Sequence, residues 1–370
     1  MAHVVQLTTE HQHSQSELDS MLLLFYTYLT VPTVFVGIVG NVLSLVTLQA
    51  RSLQSVPFMY IRVMTVFDLI AIVFVIPVSL RIGGFMYDRS YGLAHWQAHA
   101  ELPLLNTFLL ASMYTAVVLT LERCLMISRP ARRLHPKNHR ALARVNTAVV
   151  WVLAALLHLP FTAQFRVIEK SDGRFAISDN REVLCRQPWS KLFVYYKFVR
   201  ETARFSGVLV LVVLNVLIII QLRKAQRRRQ RLKCNQPSAT QSRRNVSCVT
   251  VNPIEQSYNE NKVTVLMMAI SVLYTLGNLP MAVNMLMYAD ANRHDYHYQL
   301  FRALANWMEL TNHSVNFYVF CVASSDYSQA FLATCHCLVS GRRKTGSKNG
   351  HFHQYLYEKR RILKELRWNT

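Results

Sequence analysis

The chain has 370 residues, 52% of them hydrophobic, and a formal net charge of +21. That pairing points to membrane spans separated by basic loops. It excludes a soluble nucleic-acid binder, which would not set its Lys and Arg between apolar runs of about 20 residues. The seven cysteines, Cys124, Cys185, Cys234, Cys248, Cys321, Cys335 and Cys337, lack the spacing of a zinc site or a disulfide framework, so no metal is expected. The first 20 residues carry Glu10, Glu17 and Asp19 but no Lys or Arg. A cleaved signal peptide needs a basic start, so the first span is expected to direct its own insertion.

Seven segments qualify as spans: Met21 to Gln49, Phe58 to Leu80, Leu102 to Ser128, Ala141 to Phe161, Leu192 to Leu222, Val263 to Tyr288 and Leu300 to Val322. The predicted fold is an all-α membrane protein, a seven-transmembrane helix bundle over residues 21–322 that follows an extracellular tail over residues 1–20. An odd number of crossings puts the termini on opposite sides, and Lys and Arg orient the chain because translocating them is disfavoured. Loops on the carboxyl-terminal side hold 26 of them and the opposite loops hold nine. The amino terminus is therefore expected outside and the carboxyl terminus in the cytoplasm, at the plasma membrane.

The loop over residues 223–262 contains RKAQRRRQRLK followed by Ser and Thr residues, and reads as a flexible cytoplasmic linker that attracts anionic lipid or binds a partner. The sequons at Asn245 and Asn312 fall in the cytosol and inside a span, so neither is expected to be glycosylated. Past the last span, Tyr327 and Phe331 lie four apart, as in an amphipathic helix over residues 323–337 on the inner membrane face. Cys335 and Cys337 then sit where acyl chains would anchor it, or are plain thiols. Residues 338–370 form a basic cytoplasmic tail.

Charged and amide side chains inside hydrocarbon cost about 2.5 to 3.5 kcal/mol each on insertion scales, so they face the bundle. In the seventh span Asn306, Glu309, Asn312, His313 and Asn316 recur at three- and four-residue steps and share one helical face. Asp68 and Ser112 lie at matching depth, where with Asn312 and Asn316 they predict one polar site, built around a monovalent cation or around water. The fifth span opens with Lys197, Arg200, Glu201 and Arg204. Either the three cations line an outward-opening cavity and receive an anionic group, or they pair with Glu201 and snorkel to the interface. Arg204 lies deepest and favours the cavity, with Glu309 as its counter-charge.

Several residues together resemble the rhodopsin-like, class A, G-protein-coupled receptors, over about Met21 to Cys337. Gly40-Asn41 resembles the first-span signature, Asp68 with Pro77 the second, Glu122-Arg123-Cys124 the Asp-Arg-Tyr motif, Trp151 the fourth-span tryptophan and Pro280 the sixth-span kink. Asn316-Phe-Tyr-Val-Phe320 stands where the family has Asn-Pro-x-x-Tyr. The resemblance implies an activation switch of Glu122, Arg123, Glu260, Pro280, Asn316 and Phe320, in which Arg123 pairs with Glu260 when inactive and then meets a heterotrimeric G-protein. It also implies a sodium site at Asp68, Ser112, Asn312 and Asn316, and no other cofactor. Within the family, LPLLNTFLLAS, LGNLP and NHSVNFYVFC look most like invertebrate neuropeptide receptors of the FMRFamide type.

The seventh span has no Lys, which excludes a retinal Schiff base, and Leu105 stands where aminergic receptors carry an Asp. Other departures are Ala98 in place of the Cys that would bridge to Cys185, Gly207 for a Pro, Asn215 for a Tyr, Asn278 for a Trp, and Phe317 and Phe320 for the Pro and Tyr of the last motif. Without the bridge the second outer loop is expected to be more mobile. The ligand pocket is expected among Arg81, Glu101, Asn106, Arg200, Arg204, Asn284, Arg302 and Glu309, whose charges of both signs suit an extracellular peptide. The expected function is a peptide receptor, not an enzyme, in which ligand shifts a two-state bundle. The alternatives are a divergent, weakly coupling receptor, or a transporter or channel with intramembrane charges, although no inverted repeat is visible. An intramembrane enzyme ranks third, lacking a paired-Asp or Ser-His signature.

Overall fold

The computed structural model describes residues 16–85, 90–128, 136–234, 253–287 and 295–339. Long helices dominate: α1 (Ser16–Thr47), α2 (Val56–Ile82), α3 (Tyr91–Ser128), α4 (Pro136–His158), α5 (Trp189–Cys234) and α6 (Pro253–Leu286). They are followed by α7 (Tyr296–Ser314), α8 (Asn316–Ala323) and α9 (Ser325–Val339). Six of these helices, α1 to α6, are long and apolar enough to cross a bilayer. The seventh passage, α7 with α8, is more polar and breaks at Val315, yet α7 packs against α1, α2 and α6 as a member of the bundle.

Burial explains how so polar a helix belongs there. The outward faces are apolar: Phe35, Val39 and Val42 on α1, Val149, Leu153 and Leu156 on α4, Leu209, Val213 and Val216 on α5 are all exposed. Asn41, Asp68, Ser112, Ser271, Asn312, His313 and Asn316 are buried. A soluble protein arranges its surface the other way, and this pattern is the one lipid demands, because hydrocarbon cannot solvate a polar group. Several hydroxyls along the helices are satisfied within their own turn: Thr65, Thr115, Thr147 and Thr311 each donate to the carbonyl four residues earlier, at 2.7 to 3.0 Å. Small residues let helices approach. A Cβ on Gly37 would lie 2.5 Å from Ser314 Oγ, and one on Gly277 2.5 Å from Asn312 Cβ, which binds α1 and α6 closely to α7.

Three elements differ from the sequence expectation. The loop after α4 carries an antiparallel hairpin, β1 (Phe165–Glu169) with β2 (Phe175–Asp179), so the loop lacking its bridge is shaped by its own ladder. Gly173 at φ 73° closes the turn, and the Arg174 guanidinium, donating to Asp172, holds that carboxyl below the usual carboxylate range. Cys185, beyond the hairpin, is an exposed free thiol, and Ala98 is buried in α3. The segment read as a flexible linker is helical at both ends, because α5 runs on to Cys234 and α6 starts at Pro253. Arg, Lys and Gln are good helix formers, and a run of them extends a helix already nucleated in the membrane.

The third difference concerns Tyr327. It does not face lipid: it is fully buried, its hydroxyl donates to Ser44 Oγ at 3.0 Å, and its ring meets those of Phe317 and Phe320. The chain divides into two compact units, Met1–Ala330 and Phe331–Thr370. In the second unit Cys335 is a half-buried free thiol, while the side chain of Cys337 lies outside the described residues.

Candidate functional site

At the end of the bundle that carries the hairpin, α1, α2, α3, α5 and α7, with His158 of α4 and Met281 of α6, enclose a cavity of about 420 Å³. That volume is in the range of small-molecule and peptide-anchor sites. Arg81, Asn106, Arg200, Arg204, Arg302 and Glu309 line it, six of the eight residues expected there. Glu101 stands behind the wall, fully buried, accepting from Arg81 Nη1 at 2.5 Å. Asn284 is buried but does not line the cavity, where Met281 is the α6 residue that meets the space.

The charges in the cavity are arranged in partial pairs. Arg200 donates twice to Glu201 Oε1, at 2.8 and 2.5 Å, and stacks its guanidinium 4.7 Å from the Phe161 centroid. Arg204, nearly fully buried, donates from Nη2 to Asn106 Oδ1 at 2.9 Å and reaches Glu309 Oε1 at 3.7 Å, an ion-pair distance too long for a hydrogen bond. Arg302 is exposed at the rim with no ion pair among the described residues. Lys197 is not a lining residue; it lies over the Phe193 ring. The sequence reading missed Glu201, His158 and Asn306 as cavity residues. Asn306 was legible, since it shares the polar face of α7 with Glu309.

Below the cavity the same face of α7 reaches Asp68. Both carboxylate oxygens are buried and held by four side chains: Ser112 Oγ at 2.5 Å and His313 Nδ1 at 2.6 Å on Oδ1, Asn316 Nδ2 at 2.7 Å on Oδ2, and the Tyr274 hydroxyl at 3.3 and 3.2 Å. α2, α3, α6, α7 and α8 therefore converge on one carboxylate. Ser112 and Asn316 are where the sequence put them. Asn312 is not, because its amide makes no hydrogen bond and its Cβ abuts Gly277. His313 and Tyr274 take the vacated roles. Tyr274 had a signal, since Ser271, Tyr274 and Asn278 repeat the three- and four-residue steps on α6.

At the other end of α3, Glu122 Oε1 lies 3.5 Å from His139 Nδ1 of α4. Gln221 of α5 donates to Cys124 Sγ at 3.3 Å. The side chain of Glu260 falls outside the described residues, and with it the expected pairing to Arg123. Pro280 lies inside α6, which continues through it to Leu286, and Phe320 is buried against Tyr327, filling with a ring the place where the resembling motif has a hydroxyl.

A seven-helix bundle with a buried Asp at its centre and, at one end, a largely apolar cavity that carries several arginines is matched by a family model described as 7 transmembrane receptor (rhodopsin family), over residues 40–319. The chain belongs to that family. Two similar proteins are probable G-protein coupled receptors of Caenorhabditis elegans. B0563.6 is 32% identical over 324 residues, covering 84% of this chain and 69% of that relative, and AH9.1 is 26% identical over 314 residues, covering 82% and 73%. The receptor is thus a multi-pass membrane protein of a non-enzymatic family, and neither the transporter nor the intramembrane enzyme is favoured.

Proposed function

We propose that this receptor binds an extracellular peptide in the Arg-lined cavity and transmits the binding to a heterotrimeric G-protein at the Arg123 end. The observation that carries the reading is the cavity's charge. Four arginines, Arg81, Arg200, Arg204 and Arg302, line it against two lining carboxylates, Glu201 and Glu309, with Glu101 behind. An anionic group, such as a side-chain carboxylate or a chain terminus, gains charge-assisted bonds there, and the mixed signs suit a peptide better than a lipid or an amine. The family resemblance at LPLLNTFLLAS and NHSVNFYVFC adds the invertebrate neuropeptide class.

The orientation that supports this reading has the hairpin end outside and the basic loops in the cytoplasm, where Arg123 meets its partner. Ligand binds one bundle arrangement better than the other and so shifts their populations, with Pro280 as the bend in α6. Glu122, Arg123 and Glu260 act as the switch, and Cys335 and Cys337 serve as acylation sites on α9. Screening amidated and acidic neuropeptides with calcium and cyclic-nucleotide readouts tests the proposal. An active peptide must also drive nucleotide exchange on purified G-protein through the wild-type receptor. Peptides inert in both assays, with a lipid or amine active instead, overturn the ligand class.

A further inference from the structure

We propose that His313 takes the place of a bound cation against Asp68, so that the core of this receptor is closed by its own side chains and does not respond to sodium. The inference rests on the bundle and is independent of which ligand fills the cavity.

A carboxylate offers about four lone-pair sites. Those of Asp68 are taken by Ser112, His313, Asn316 and Tyr274, five contacts in all between 2.5 and 3.3 Å. A sodium ion would have to displace at least one of them and then collect further oxygens. The shortest competitor is the imidazole: Nδ1 lies 2.6 Å from Oδ1, both side chains are wholly buried, and the ring is fixed edge-on to Tyr274 at 5.4 Å between centroids. An N–H in that slot already presents the positive end of a dipole to the carboxylate, and opposes a cation beside it.

The atoms left over do not form a cation cage either. Near Asp68 the buried groups without partners include oxygens, Asn312 Oδ1 and Asn316 Oδ1, and also nitrogens, Asn312 Nδ2 and His313 Nε2. A cation satisfies the oxygens and the Nε2 lone pair left when Nδ1–H faces Asp68, but leaves the Asn312 amide N–H groups unmet. Water both donates and accepts, and completes the two sets together. Asn312, which the family resemblance would make an ion ligand, makes no bond to Asp68 and is pressed against Gly277, so it is not posed to coordinate.

The test uses the full-length purified receptor in lipid nanodiscs and needs no ligand. Thermal unfolding is followed by tryptophan fluorescence in about 0.15 M sodium chloride and in choline chloride of equal ionic strength. The wild type is expected to differ by less than about 1 °C, whereas a bound ion raises Tm by about 3 °C or more. The His313→Ser variant removes the imidazole, opens a void beside Asp68 and offers a hydroxyl oxygen, and it is expected to gain the sodium-dependent rise. A rise in the wild type overturns the proposal outright, even if the variant cannot be purified. Absence of a rise in both proteins removes His313 from the role of excluding the ion.

Discussion

Arg204 on α5 and Glu309 on α7 face each other across the cavity, Nη2 to Oε1 at 3.7 Å, and the same nitrogen donates to Asn106 on α3. The pair joins three helices through charges that water scarcely reaches, yet its length leaves the guanidinium fork open to a ligand acid. Replacing Arg204 by Ala is expected to lower agonist potency at least about tenfold, the loss of one charge-assisted bond. It also strands Glu309, which costs about 3 to 5 kcal/mol when one partner of a buried pair is removed. The Arg204→Ala/Glu309→Gln double variant should therefore recover surface expression without recovering potency. Radioligand or reporter titration beside surface immunostaining reads both, and unchanged potency would make these cations structural.

Tyr274 is the hub of the Asp68 cluster, touching Asp68, Ser112 and Asn316 from α6. Tyr274→Phe keeps the ring and deletes the hydroxyl, leaving the other donors on Asp68. A loss of about 1 to 2 kcal/mol is expected, seen as a drop of a few degrees in Tm. An unchanged Tm would mean that the hydroxyl bonds contribute nothing net.

Gly277 is required by contact rather than by backbone angle, since a Cβ there would lie 2.5 Å from Asn312 Cβ and 2.8 Å from Asn312 Cγ. Gly277→Ala gains helix propensity of about 1 kcal/mol but forces α6 and α7 apart, with an overpacking cost of about 1 to 3 kcal/mol. Lower thermal stability of purified receptor is the expected result. A stabilised variant would show that propensity outweighs the clash.

Glu260 carries the proposed lock on Arg123. Glu260→Ala should raise basal signalling several-fold at equal surface expression, measured by ligand-free nucleotide exchange. Equal or lower basal output would count against the lock.

The sequence made the bundle legible because lipid imposes two strong regularities, runs of apolar residues and Lys and Arg confined to loops. It made the α7 face legible because Asn306, Glu309 and His313, continued by Asn316 on α8, repeat at helical steps. What it could not supply was azimuth between helices. Asn312 and His313 are adjacent, and which of them meets Asp68 depends on the rotation of α7, fixed by Gly37 against Ser314 and by Gly277 against Asn312. Asn284, expected in the cavity, does not line it for the same reason. The hairpin was missed because Phe165–Glu169 and Phe175–Asp179 are short and carry charge, a weak strand signal beside the spans.

The polarity of α7 makes the crossing number the point on which the account turns. Six helices have membrane-grade length and apolarity, and the receptor reading requires Tyr296–Ala323 to cross as well. Epitope tags at the two termini, stained in intact and then permeabilised cells, measure this directly. An amino-terminal tag accessible on intact cells and a carboxyl-terminal tag revealed only by permeabilisation are predicted. Both tags on the same face would contradict seven crossings, and with them the placing of the Arg204 cavity outside and Arg123 within.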